Sequence, residues 1–223
     1  MFIGHFALGL GAKRAAPAVS LGTLFLACQF ADLLWPTLVL VGIEKVEVRP
    51  GDTAFTPLSF VSYPYSHSLV ALLIWGAVFG AAYVLIRKSR VAAGVTIAAL
   101  VVSHWVLDYL THRPDMPVTI GGETRLGLGL WSSVPATLVI ELLLFAIGVG
   151  IYARFTEARD RRGTYGFWGL VGFLVAVYFV NVFSPPPPDA GAVAWGTQAM
   201  WLLVIWGYWV DRHRRSLLGA GRA

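Results

Sequence analysis

Long apolar runs separated by short polar connectors dominate the chain. Six runs, at about 17–43, 67–87, 91–112, 133–154, 166–183 and 193–211, approach or exceed the length that crosses a bilayer. A helix needs about 20 mostly apolar residues to cover roughly 30 Å of hydrocarbon. Helices are the expected form, because a backbone in lipid must satisfy its own hydrogen bonds and no series of alternating ten-residue segments suggests a barrel. A further apolar segment, residues 2–12, is too short to cross alone. The pattern predicts an all-α polytopic transmembrane bundle of about six spans plus a short N-terminal half-helix. It reads as one integral membrane domain over 1–223, with site-bearing helices in 1–154 and two further spans and a basic tail in 155–223.

Composition supports that reading: 57% of the 223 residues are apolar, 13% are charged, and the mean hydropathy is +0.69. The net charge of +5 is distributed by connector. Lys13, Arg14, Arg87, Lys88, Arg90, Arg154, Arg159, Arg161, Arg162, Arg212, Arg214, Arg215 and Arg222 fall on one side, and Lys45, Arg49, Arg113 and Arg125 on the other. Thirteen against four places the first side, with the C-terminus, in the cytoplasm under the positive-inside rule, as in a bacterial-type inner membrane. The same distribution speaks for topology and against a nucleic-acid partner. The outward loops are then 44–66, 113–132 and the polyproline connector Ser184–Asp189. The single cysteine, Cys28, provides neither an intrachain disulfide nor a cysteine metal cluster.

Ionisable groups inside spans are costly, so each is a candidate site residue. They are His5, Asp32, His67, His104, Asp108, His112 and Glu141, including four of the five histidines. His104, Asp108 and His112 repeat every four residues and share one helical face. At about 1.5 Å per residue, His5, Asp32, His67, His104, Asp108 and Glu141 rise roughly 15–30 Å above their cytoplasmic helix ends, a common layer in the outer half of the bilayer. Imidazoles with carboxylates and no thiolate suit a divalent metal, zinc first among them, and the number of donors leaves room for more than one ion. Paired ions serve phosphoester hydrolysis. Arg113 and Arg125, in the loop beside this layer, are candidates for an anionic head group, against the simpler reading of solvated loop charges. Trp35, Trp131, Trp168, Trp195 and Trp209 lie at span ends and read as interface anchors.

The ordered set His5, Asp32-Leu-Leu-Trp-Pro36, Tyr65-Ser-His-Ser-Leu69 and Ser103-His-Trp-Val-Leu-Asp108 resembles the YdjM-like membrane-bound metal-dependent hydrolases, over roughly residues 1–150. That family is remotely similar to zinc-dependent phospholipase C and the zinc single-strand nucleases. The resemblance implies Asp32, His67, His104 and Asp108 as metal ligands, Asp32 as a candidate bridge and His5 as a further ligand. In the zinc phospholipases further His and Glu ligands follow the His-x-x-x-Asp element, which makes His112 and Glu141 the candidates to complete the shell. His5, His112 and Glu141 are also the candidate bases, and the outer-leaflet depth of the layer favours a lipid or lipid-linked phosphoester as substrate. The chain departs from the family at Tyr63-Pro-Tyr-Ser-His-Ser68, where His-Arg-Gly-x-Thr-His-Ser is common, and in its reduced acidic pattern around Asp32.

Two other classes use the same groups. A metal-independent lipid phosphatase of the phosphatidic-acid-phosphatase type has the order imitated by Lys45, Arg49-Pro50, Ser66-His67-Ser68 and His104 with Asp108, but Ala98 stands where that class has an arginine. A proton- or ion-coupled transporter would use the histidines and aspartates as a relay.

Overall fold

The computed structural model describes residues 1–218; Arg222 lies outside the described residues. The segment 2–12 forms a nine-residue helix, α1 (Ile3–Gly11), followed by a 3₁₀ turn at Ala12–Arg14. Ile3, His5, Phe6, Ala7 and Leu10 of α1 are all buried, so the half-helix is a plug in the bundle and packs on α2 (Leu21–Cys28). The apolar run 17–43 is divided at Gln29 into α2 and α3 (Phe30–Leu40), which meet at 56°. A single-turn helix, α4 (Pro64–His67), then leads into α5 (Leu69–Arg87), α6 (Val91–Thr111), α7 (Val134–Phe155) and α8 (Arg161–Phe183). The run 193–211 is likewise divided, at Ala199, into α9 (Ala190–Gln198) and α10 (Met200–Arg212).

Among the described residues, α5, α6, α7 and α8 are each long and apolar enough to cross a membrane, and the bent pair α2–α3 makes up to five. The expected sixth span is present as two helices, each shorter than a membrane crossing. Local chemistry explains the starts. Ser20, Ser68, Ser133, Asp160 and Asp189 each accept from the backbone N–H three residues on, capping α2, α5, α7, α8 and α9. The left-handed Lys88 ends α5, permitting the tight return into α6.

Glycine sets two close approaches. A Cβ on Gly80 would meet the Gly94 carbonyl at 2.5 Å, so α5 and α6 touch backbone to backbone. A Cβ on Gly148 would run into the Ala7 backbone, which fixes α1 against α7.

Short antiparallel strand pairs close the ends. β1 (Lys45–Val48) pairs with β2 (Leu58–Ser62), and β3 (Met116–Pro117) with β4 (Arg125–Leu126), at the end where α4 begins and α6 finishes. At the other end β5 (Thr156–Ala158) pairs with β6 (Arg214–Ser216), and the buried Lys13 ammonium donates to both Asp211 oxygens at 2.8 and 3.0 Å. Trp168, Trp195 and Trp209 are exposed as interface anchors would be. Trp35 and Trp131 are buried instead, each packed beside Phe60 of β2, because the hairpins fold back over the span ends.

Candidate metal centre

Three helices and one single-turn helix deliver the central groups. α1 contributes His5, the first turn of α3 contributes Asp32, α4 contributes His67, and α6 contributes His104 and Asp108 one turn apart. Asp32 sits where unpaired N–H groups at a helix start favour a carboxylate. All five lie together, and all but Asp32 are 2% exposed or less.

The donor atoms converge on one volume. His67 Nε2 lies 3.4 Å from Asp32 Oδ1 and 3.9 Å from Asp108 Oδ2. His104 Nε2 lies 3.7 Å from Asp32 Oδ1 and 3.1 Å from Asp108 Oδ2. His5 Nε2 is 3.0 Å from the other Asp108 oxygen, Oδ1, which also accepts from the Met1 amine at 2.5 Å. The His5 ring stacks on His104 with centroids 3.7 Å apart and planes 3° from parallel.

His104 shows why these residues fit a cation. Its Nδ1 is 2.9 Å from the Cys28 carbonyl, which can only accept, so Nδ1 carries the proton of the neutral ring. Nε2 is then a lone pair. It is buried, has no hydrogen-bond partner among the described residues, and faces two carboxylates. A lone pair held against carboxylate oxygens in a buried site is repulsive, and either a proton or a metal ion between them relieves it. Two overlapping donor groups suit such an ion: His5, His104 and Asp108, and Asp32, His67 and His104.

The other expected site residues lie elsewhere. Glu141, buried on α7, accepts from the backbone N–H of Phe2 at 2.9 Å and of Gly4 at 3.2 Å. It caps α1 and thereby sets the height of His5. His112 ends α6 in a separate cluster, with Nδ1 2.9 Å from Asp115 Oδ1 and its ring 4.2 Å from that of Trp131. The Tyr63 hydroxyl donates to the same Asp115 oxygen at 2.9 Å. Arg113 pairs with Asp52 at 2.7 Å and with Asp115 at 3.2 Å, while Arg125 donates to the Asp115 carbonyl at 3.1 Å. Both arginines therefore brace the hairpin end. Burial pushes the Asp115 carboxyl up, but hydrogen bonds from His112, Tyr63 and Arg113 hold it below the usual carboxylate range.

Sequence reasoning missed Glu44, Tyr63 and Asp115. Glu44 is 2% exposed and accepts from the Tyr65 and Ser66 N–H groups and from the hydroxyl of Ser66, the residue before His67. Its signal was a carboxylate placed immediately after an apolar span and a glycine turn. Tyr63 and Asp115 flank the helix ends beside the hairpins, where helical periodicity no longer assigns a face.

No family model matches the chain, and no curated protein or solved structure shows significant similarity to it.

Proposed function

We propose that the chain is a membrane-embedded, metal-dependent hydrolase of phosphoesters, related to the YdjM-like family, with Asp32, His67, His104 and Asp108 as the ligands of one divalent ion. The observation that carries this reading is the spacing of the four donors. A tetrahedral site with ligands about 2.0–2.2 Å from the metal places neighbouring donors about 3.3–3.6 Å apart. The four His-to-Asp separations, 3.4, 3.9, 3.7 and 3.1 Å, bracket that value. Both candidate triads include His104, whose Nδ1 is taken by the Cys28 carbonyl, and its Nε2 serves one ion at a time, so the two triads describe one site and not two. His5 then holds the second oxygen of Asp108 and orients that ligand from behind.

A divalent ion bound there supplies Lewis acidity toward a phosphoryl oxygen and acidifies water. The side chains do the rest. His104 is locked in its ligating tautomer by the Cys28 carbonyl, and His5 by stacking stiffens the same ring. The Asp32 side chain, 22% exposed, is the accessible member of the set, so water and substrate approach past it and it is placed to take a proton. Zinc suits the two imidazoles and two carboxylates, with manganese or iron as the other fits.

The charge distribution supports a cytoplasmic C-terminal end, which puts the site in the outer half of the membrane and favours a lipid or lipid-linked substrate. The metal-independent phosphatase is less well supported: Lys45 is exposed and Arg49 pairs with Glu47 at 2.6 Å in an exposed hairpin.

The test is hydrolysis of a chromogenic phosphodiester and of a fluorescent phospholipid by purified protein in bicelles, with and without chelation. Activity abolished by chelator, restored by zinc or manganese and lost in His104→Ala supports the proposal. Activity indifferent to chelation refutes it in favour of a phosphohistidine route.

A further inference from the structure

Beneath His67 a second polar chain runs away from the donor cluster. Glu44 is held by a glycine turn: Gly42 takes a positive φ of 76°, and the N–H groups of Ile43 and Glu44 both return to the Leu38 carbonyl, at 2.9 and 3.1 Å. The carboxylate thus points back under α4. Its Oε1 accepts the backbone N–H of Tyr65 at 2.8 Å and of Ser66 at 2.9 Å, while Oε2 accepts the Ser66 hydroxyl at 2.5 Å. The Ser66 oxygen in turn lies 2.7 Å from His67 Nδ1. Glu44, Ser66 and His67 are all 2% exposed or less.

A serine hydroxyl has one proton, and here it goes to the carboxylate. The Ser66 oxygen is then an acceptor toward His67, so the ring proton sits on Nδ1 and Nε2 is left as a lone pair facing Asp32 and Asp108. We infer that Glu44 and Ser66 form a positioning relay that holds His67 in its metal-ligating tautomer, the counterpart of the Cys28 carbonyl at His104. The inference rests on the metal-site reading above.

The relay has a direction that chemistry can reverse at constant shape. In Glu44→Gln the amide oxygen must stay on the two backbone N–H groups, which turns the amide nitrogen toward Ser66. Ser66 then accepts from Gln and donates to His67 Nδ1. The ring proton moves to Nε2 and the ligating lone pair is lost. Ser66→Ala removes the relay without reversing it. The double variant Glu44→Gln/Ser66→Ala has no hydroxyl to reverse and should behave like Ser66→Ala.

Two readouts test this on the 223-residue chain in detergent, with circular dichroism and size exclusion confirming the fold of each variant. The first is zinc affinity by competition with a chromogenic chelator. Loss of a group that orients a ligand costs about 10–100-fold in metal affinity. Glu44→Gln should fall in the upper part of that range and Ser66→Ala in the lower part, with the double variant recovering to the Ser66→Ala level. Affinities within about threefold of wild type, or losses that simply multiply in the double variant, overturn the relay, because additive losses mark independent structural effects. The second is the nitrogen-15 signature of the neutral His67 ring in metal-free protein: proton on Nδ1 in wild type and on Nε2 in Glu44→Gln. The same tautomer in both overturns the relay whatever the metal result. Wild type that binds no zinc while the tautomer still switches overturns the metal-site reading and leaves the relay standing.

Discussion

His104 donates from Nδ1 to the carbonyl of Cys28 at 2.9 Å, and Cys28 is the last residue of α2, where the chain bends by 56° into α3. The bend and the site are one feature. A continuous helix would commit the Cys28 carbonyl to the N–H four residues on, whereas the break at Gln29 leaves it for the imidazole and starts a new helix whose first turn carries Asp32. Broken backbone at membrane depth is tolerated where protein buries it, and Cys28 is 1% exposed.

Glu141 and His112 separate two kinds of support. His112→Ala should leave metal content unchanged, since its ring is bound up with Asp115, Tyr63 and Trp131 at the hairpin end. Glu141→Gln should lower metal affinity only modestly, by disturbing the cap that sets α1 and His5. Elemental analysis of the purified variants checks both. A His112→Ala protein devoid of metal would move that residue into the ligand set.

Gly148 admits α1. Gly148→Val should destabilise the protein by about 1–3 kcal/mol, the usual cost of forcing extra methyl groups into a packed contact, because the new side chain meets the Ala7 backbone. Thermal melts in detergent measure this. Gly150, with open space around it, should accept alanine with little change.

Asp115 makes stability depend on pH. A carboxyl whose folded value is depressed contributes stability that is complete above its unfolded value and lost as pH falls through the folded one. The wild-type melting temperature should therefore fall on acidification below about pH 4, near the ordinary aspartate value. Asp115→Asn should start lower at neutral pH and show a shallower fall. Parallel curves for the two proteins would show that Asp115 makes no such contribution.

Much of the architecture was legible because membrane crossing imposes length and polarity rules on sequence. The runs 67–87, 91–112 and 133–154 reappear as α5, α6 and α7 within a few residues, and the isolated segment 2–12 reappears as α1. The gathering of the polar groups was legible for the same reason: His5, Asp32, His67, His104 and Asp108 are polar groups in apolar surroundings, and the four-residue step set His104 beside Asp108. The bend at Gln29 was hidden, since an apolar run reads alike whether straight or broken. Glu44 and Asp115 were hidden because loop residues have no periodicity, and their partners are chosen by how the hairpins fold back. Trp35 and Trp131, read as lipid anchors from their place at span ends, are buried by those hairpins.

The four-donor site is tested most directly by counting metal. Protein purified without added chelator and analysed by inductively coupled plasma mass spectrometry should carry about one divalent ion per chain, as the single shared His104 lone pair requires. His104→Ala and Asp108→Asn should each lose it while remaining folded. Wild-type protein without stoichiometric metal after zinc or manganese has been supplied, or variants that retain it, would contradict the site.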